Sequence, residues 1–455
     1  MSAVEPAELV ERVWARDPTL WTGHDEDRWL GWLDEPLRMR ERVLELEELG
    51  AATAEFTQVV LLGMGGSSLA PEVLRRTFES DRLHVLDTTH PAAIRRIADG
   101  FDLERTLFVA SSKSGTTLET RSQLDFFWER VGRGDSFVAI TDPGSELERV
   151  AGERGFRAVV AAEPTIGGRY SALSVFGIVP AALMDIDLSR FLLRVEEMVE
   201  ACHLAEGNPG LQLGEALGHG WEEGRDKILI NPNPGGFGLW AEQLLAESTG
   251  KESKGLVPVP GETAPGDDRQ EAEVRVPDPY ELGQEFYRWE FATAVAGSIL
   301  GINPFDQPNV QQAKDRTNDV LSSSDTSGSD PGMSGSVDEL LAGAEPPAYV
   351  CIQAFIDPAR EGELEPLIAR AQETGCVVTH GLGPRYLHST GQLHKGGPPT
   401  GHFVQVVDDP GEELPIPGRD FGFARLIDAQ AAGDFASLRE RGRPIVRVKL
   451  EELSA

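Results

Sequence analysis

Two stretches of this 455-residue chain end an apolar run in small and hydroxyl-bearing residues. One reads Val59-Val60-Leu61-Leu62-Gly63-Met64-Gly65-Gly66-Ser67-Ser68. The other reads Leu107-Phe108-Val109-Ala110-Ser111-Ser112-Lys113-Ser114-Gly115-Thr116-Thr117. In each, a buried-strand pattern stops abruptly and a helical pattern follows, so the first N–H groups of the helix point into the loop and favour an anion. The hydroxyls and the lysine of the second loop can surround the oxygens of a phosphate monoester without an aromatic base or a metal. That is the chemistry of a sugar phosphate. Gly-rich turns also serve close packing of strand on helix, and it is the pair of loops that strengthens the ligand reading. Neither loop has P-loop spacing, and the first lacks the glycine spacing of a dinucleotide fingerprint.

Four further segments carry reactive side chains. Gly167-Gly168-Arg169-Tyr170-Ser171 sets a guanidinium beside two glycines, where it meets a ligand closely or lies on the surface. Glu247-Ser248-Thr249-Gly250-Lys251 ends an apolar helix with a carboxylate, either a base or a solvated side chain. Asp306-Gln307-Pro308-Asn309 runs into a helical pattern that carries Lys314, which is a second acid-base group or the polar face of a capped helix. His388-Ser389-Thr390-Gly391-Gln392-Leu393-His394-Lys395-Gly396 places titratable groups in a Gly-rich stretch. A zinc reading of His388, His394 and His402 is weak, because the ligand spacing of helices or hairpins is absent.

The elements that must position these groups alternate strand and helix. Residues 1–55 read as an N-terminal helical cover broken at Asp17-Pro18 and Glu35-Pro36 and anchored by Trp14, Trp21, Trp29 and Trp32. Residues 56–200 read as a phosphate-binding domain, with strands at Val59–Leu62, His84–Leu86, Leu107–Ala110, Phe137–Thr141 and Ala158–Ala161 in a doubly wound parallel sheet. Residues 201–455 read as a second domain of similar type. Its strands are expected at Lys227–Asn231, Leu256–Pro260, Tyr349–Ile356, Phe403–Val407 and Ile445–Leu450. Helices are expected at Trp240–Ser248, Gln284–Leu300, Val310–Leu321 and Asp428–Arg439. A Ser-, Gly- and Asp-rich mobile loop is expected at 322–336. Ligands of such sheets bind beyond the carboxyl ends of the strands, where both hydroxyl loops fall.

Composition narrows the function classes. The formal charge of −33 repels nucleic acid and anionic membranes, so an anionic ligand must be held by local donors. Cys202, Cys351 and Cys376 give no CxxC motif and no disulfide framework, which suits reduced thiols in the cytoplasm. Neither a signal segment nor a membrane span is expected.

Together and in this order, the two hydroxyl loops, Gly167–Ser171, Glu247–Lys251 and Asp306–Lys314 resemble the glucose-6-phosphate isomerase family over roughly residues 55–320. The wording is similar to the isomerase half of bacterial transaldolase/isomerase fusions. The resemblance implies two sugar-isomerase-type α/β/α sandwich domains and interconversion of glucose 6-phosphate and fructose 6-phosphate with no cofactor and no metal. It implies Glu247 as base, Arg169 at the enediolate, and Lys314 with a histidine at ring opening. It implies a substrate pocket of Gly65, Gly66, Ser67, Ser112, Lys113, Ser114, Thr116, Thr117, Gly168 and Gln307. The family places its ring-opening histidine between the glutamate and the glutamine-lysine motif. Here that interval holds Gly283-Gln284-Glu285-Phe286 and no histidine. His388, with His394 as fallback, is expected to replace it, and the family's use of a neighbouring subunit's histidine implies a homodimer. A sugar-phosphate sensor of the same fold and an isomerase that also accepts mannose 6-phosphate remain open.

Overall fold

The computed structural model describes residues 5–308, 321 and 335–453. The N-terminal cover is helical, with α1 (Pro6–Trp14), α2 (Glu35–Glu41) and α3 (Val43–Ala52). Its tryptophans do two jobs at once, since a ring can bury its body and still donate from Nε1. Trp14 donates to the carbonyl of Cys202 at 3.0 Å and Trp21 to that of Ala294 at 2.8 Å. Trp32 is buried against the ring of Tyr170, centroid to centroid 5.3 Å. Residues of both halves of the chain are thereby fastened under one cover.

The first sheet has strands β1 (Gln58–Leu62), β2 (Leu83–Leu86), β3 (Thr106–Ser111), β4 (Phe137–Thr141) and β5 (Ala158–Ala161), all parallel, in the order β2-β1-β3-β4-β5. The central strands β1 and β3 are buried along nearly their whole length, because helices cover both faces. The crossovers are α4 (Leu69–Thr77), α5 (Pro91–Gly100), α6 (Leu118–Val131) and α7 (Glu146–Arg154). Both hydroxyl loops emerge from the carboxyl ends of neighbouring strands, as expected.

The chain then runs through α8 (Val175–Leu183), α9 (Leu188–Ala201) and α10 (Pro209–Glu222). Ser174 starts α8 by accepting from the N–H of Phe176. The second half contributes β6 (Lys227–Ile230), α11 (Gly238–Thr249), β7 (Val257–Pro260), β8 (Arg269–Ala272) and α12 (Leu282–Leu300). After them come α13 (Val337–Ala342), β9 (Tyr349–Phe355), α14 (Glu365–Gln372), β10 (Val377–Leu382), α15 (Gly391–Gly396), β11 (Gly401–Val407), α16 (Phe423–Glu440) and β12 (Ile445–Lys449). The expected helix Val310–Leu321 and the loop 322–336 fall mostly outside the described residues.

These strands are again parallel, but they form two sheets, β7-β6-β8 and β10-β9-β11-β12. The reason lies in Val257-Pro258-Val259-Pro260. The N–H groups of Val257 and Gly261 point to the β6 side, so Pro258 and Pro260 fall on the opposite side, facing β10, where they have no N–H to give. β7 and β10 still lie against each other. One apolar cluster, including Val257, Val259, Tyr349, Cys351, Val377 and Phe403, joins the two sheets. Two strands escape the sequence reading. β8, Arg269-Gln270-Glu271-Ala272, has no apolar alternation, and β10 is a short Val-Val-Thr run closed by glycine.

Candidate active site

The second loop is a ring of hydroxyls. Ser112 lies buried at its base, with its Oγ 3.1 Å from Thr117 Oγ1 and accepting from the N–H of Gly115. Ser114 and Thr116 sit on the exposed rim, oxygen to oxygen at 3.0 Å. Thr117 precedes α6 without capping it through its side chain, so the first-turn N–H groups still face the loop. Lys113 stands beside this ring, and its ammonium is committed to Asp142 at 2.6 Å and to the carbonyl of Pro164 at 3.0 Å.

The first loop explains its own glycines. Gly65 has φ +56°, and a Cβ there would lie 2.6 Å from the carbonyl oxygen of His388 and 2.9 Å from Gln243 Nε2. A Cβ on Gly66 would lie 1.9 Å from the carbonyl oxygen of Gly168. The bare backbone is therefore what lets the Arg169 loop and the His388 turn close over it. Ser67, also buried, follows directly.

Arg169 is buried rather than on the surface, with 1% of its side chain exposed. It donates from Nε to Ser248 Oγ at 2.8 Å and to Gln307 Oε1 at 3.1 Å. It also donates to the carbonyls of Pro304 at 2.7 Å and Asp306 at 2.9 Å. Glu247, on α11, is buried too, so it is not a solvated helix residue. Its Oε2 stands 3.8 Å from Arg169 and accepts from Gln243 Nε2 at 3.0 Å. Burial pushes the Glu247 carboxyl above its ordinary value, while Arg169 and Gln243 oppose the rise.

Three other residues complete the cluster, and sequence reasoning gave none of them a role, although Lys251 closes the Glu247 motif. Glu119, in the first turn of α6, meets His388 Nε2 at 2.9 Å and accepts from Gln430 Nε2 at 2.7 Å. Gln243 donates to the carbonyl of His388 at 2.8 Å as well as to Glu247, which ties the histidine turn to α11. Lys251 donates to the carbonyls of Asn303 and Asp306 and to Asp306 Oδ1, holding the Gln307 segment against the end of α11. Burial, followed by the charge of Arg169, brings this lysine down to about 8. A glutamate early in a helix is ordinary. Only contacts across 269 residues of sequence show what Glu119 does.

His388 reaches this cluster within one chain, so its placement asks for no second subunit. The fallback His394 goes elsewhere. It is buried with Nδ1 3.1 Å from Gln353 and Nε2 3.5 Å from Cys351 Sγ, and burial lowers it to about 3, a neutral core ring. His402 lies on β11, so the three histidines of the zinc reading stand in three different places. Among the described residues no cluster of His, Cys, Asp and Glu is arranged to hold a metal. Lys314 lies outside the described residues. The remaining expected groups are linked, since Gln307 and Gly168 join Arg169, and the glycines of the first loop bring in His388.

Residues 33–206 match the phosphoglucose isomerase family. The glucose-6-phosphate isomerase of Gloeothece citriformis is 32% identical over 267 residues, covering 54% of this chain and 49% of that one. The enzyme of Thermosynechococcus vestitus is 35% identical over 215 residues, covering 44% of this chain and 41% of that one. The chain thus spans about half the length of the curated relatives it matches. Two solved structures share the fold. A hypothetical protein from Thermus thermophilus covers 98% of this chain, with 83% of its own length matched, at TM-score 0.50 and 21% identity. A glucose-6-phosphate isomerase from Chlamydia trachomatis covers 69% of this chain, with 77% of its own length matched, at TM-score 0.54 and 21% identity. By these matches the chain is similar to glucose-6-phosphate isomerases, and the family model matches residues 33–206.

Proposed function

We propose that the chain interconverts glucose 6-phosphate and fructose 6-phosphate through a cis-enediol intermediate. The observation that carries the reading is the buried Glu247 carboxylate 3.8 Å from the Arg169 guanidinium, linked by Gln243 and His388 to Glu119 at the head of the phosphate loop. A protein that only senses a sugar phosphate needs the hydroxyl loops and has no use for a desolvated base beside a fixed cation. Nothing here favours the sensor, and acceptance of mannose 6-phosphate is left to direct assay.

In this reading the phosphate sits on Ser67, Ser112, Ser114, Thr116, Thr117 and the first N–H groups of α6, with Lys113 at the margin. The ring opens when one group gives a proton to the ring oxygen and another takes the proton of the anomeric hydroxyl. His388, oriented by Glu119, and Lys314 fill those places. Glu247 then removes the proton from C2, and the electron pair moves to the carbonyl oxygen. Arg169 stabilises the developing oxyanion, a role for which one lost donor costs on the order of 3 kcal/mol. The proton on O2 passes to O1, the same carboxyl returns its proton to C1, and the ketose results, which is why the base must reach both carbons from one face. Gln307, already bonded to Arg169, contacts the sugar hydroxyls.

This reaction belongs to glycolysis and gluconeogenesis. We assign the protein to the cytoplasm, supported by three free buried cysteines and by the absence, among the described residues, of any helix long and apolar enough to cross a membrane. A homodimer is proposed from the family resemblance alone.

Conversion of fructose 6-phosphate, read by a glucose-6-phosphate dehydrogenase coupled assay, tests the activity. Glu247→Gln is expected to lower kcat by about 1,000-fold or more with binding nearly intact, and turnover within a few-fold of wild type removes Glu247 from its role. Glu247 must be ionised to act, so kcat/KM should fall as pH drops through its raised value. The acid limb should therefore lie above the ordinary 4.5, and a limb at or below that pH contradicts the burial argument. His388→Ala should slow turnover of the closed sugar more than that of an open-chain substrate. Equal slowing of both argues against ring opening by His388.

A further inference from the structure

On the far side of α11 from Glu247 lies a second cavity, of about 210 Å³, room for about seven water molecules. Its wall includes Arg76 of α4, Leu239 and Glu242 of α11, His380 of β10, and Arg385 and Ser389 of the segment that follows. None of these residues belongs to the sugar-phosphate cluster. Helix geometry keeps the two spaces apart, because Glu242 and Glu247 are five positions apart and so point about 140° away from each other around the axis. Gln243 and Glu247 turn to the catalytic cluster, and Glu242 turns to the cavity.

Two of the wall residues have polar groups that the protein leaves without hydrogen-bond partners. The Arg385 side chain is only 16% exposed, its nearest carboxylate is Asp87 at 3.7 Å, and among the described residues its guanidinium makes no hydrogen bond. The carboxylates of Asp87, Glu361 and Glu242 offset its charge, but its five donors are left without hydrogen-bond acceptors among the described residues, and the cavity is the place where acceptors would sit. Glu242 likewise makes no hydrogen bond or ion pair among the described residues. Burial pushes its carboxyl up to about 8, against the pull of Arg385, so at neutral pH it is mostly protonated and offers an O–H. Arg76 is shared with Glu72 at 2.7 Å, and the half-exposed His380 lies 3.7 Å from Glu361.

We propose that this cavity is a second ligand site, separate from the sugar-phosphate pocket, for a small molecule bearing a carboxylate or phosphate. The oxyanion sits on the guanidinium of Arg385, with the carboxylic O–H of Glu242 as a further donor. Fork geometry suits either anion. The volume of about 210 Å³ has room for a short dicarboxylate or a three-carbon phosphate ester.

Calorimetric titration of the full chain with malonate and, separately, with inorganic phosphate tests this, and it reads binding without turnover. The result therefore stands apart from the isomerase reading. Four proteins are compared: wild type, Lys113→Ala to weaken the sugar-phosphate pocket, Arg385→Gln, and Leu239→Trp to fill the cavity without touching the Arg385–Asp87 pair. At least one probe should bind Lys113→Ala within about threefold of wild type and bind Arg385→Gln and Leu239→Trp at least about tenfold more weakly. Which probe binds identifies the carboxylate or the phosphate class. The proposal is overturned if neither probe binds wild type by about 10 mM. It is equally overturned if binding is lost in Lys113→Ala and kept in folded Leu239→Trp.

Discussion

The buried guanidinium of Arg169 is the constraint around which the candidate site is built. A charge removed from water is tolerated only when its donors are satisfied, and Arg169 satisfies its own by drawing three separate segments together. Ser248 belongs to α11, Pro304 and Asp306 give main-chain carbonyls, and Gln307 gives a side-chain oxygen. Glu247 is carried into range as the neighbour of Ser248. The ordering that holds the cation in the fold is thus the ordering a reaction would need.

The local charges are set against one another. Arg169 and Lys251 bring two cations to the end of α11, and Glu247 and Asp306 answer them. Lys251 is brought down by burial and by its neighbouring cation, and Glu247 is raised by burial while the same cation restrains it. A carboxylate poised in this way can take a proton from carbon and give it back, because neither of its states is held too firmly. The overall charge of −33 gives no long-range help to an anionic ligand, so in the proposed function the hydroxyl loop and helix N–H groups do the capturing.

Much of both hydroxyl loops was legible in the sequence because strand, glycine turn and helix start are local patterns. Val59–Leu62 and Leu107–Ala110 proved to be central strands, and the glycines stand where backbones approach. Arg169 and Glu247 were named from short motifs, but their burial was not predictable from neighbours in sequence. Glu119 had no signal, since its partners His388 and Gln430 are contacts of tertiary structure alone. The division of the second half into two sheets was written in Pro258 and Pro260, yet it becomes readable only once β10 is known to lie on their side. Lys314 and most of the 322–336 segment stay outside the described residues.

The most direct test of the central claim compares two ligands on wild type and Arg169→Lys. One is a five-carbon phosphohydroxamate shaped like the enediolate, and the other is glucitol 6-phosphate, which has no such charge. If Arg169 serves the charge that develops in the reaction, the hydroxamate should lose about 100-fold in affinity while the alcohol loses only a few-fold. Equal losses for both ligands would show a guanidinium that merely binds or braces, and would contradict the account.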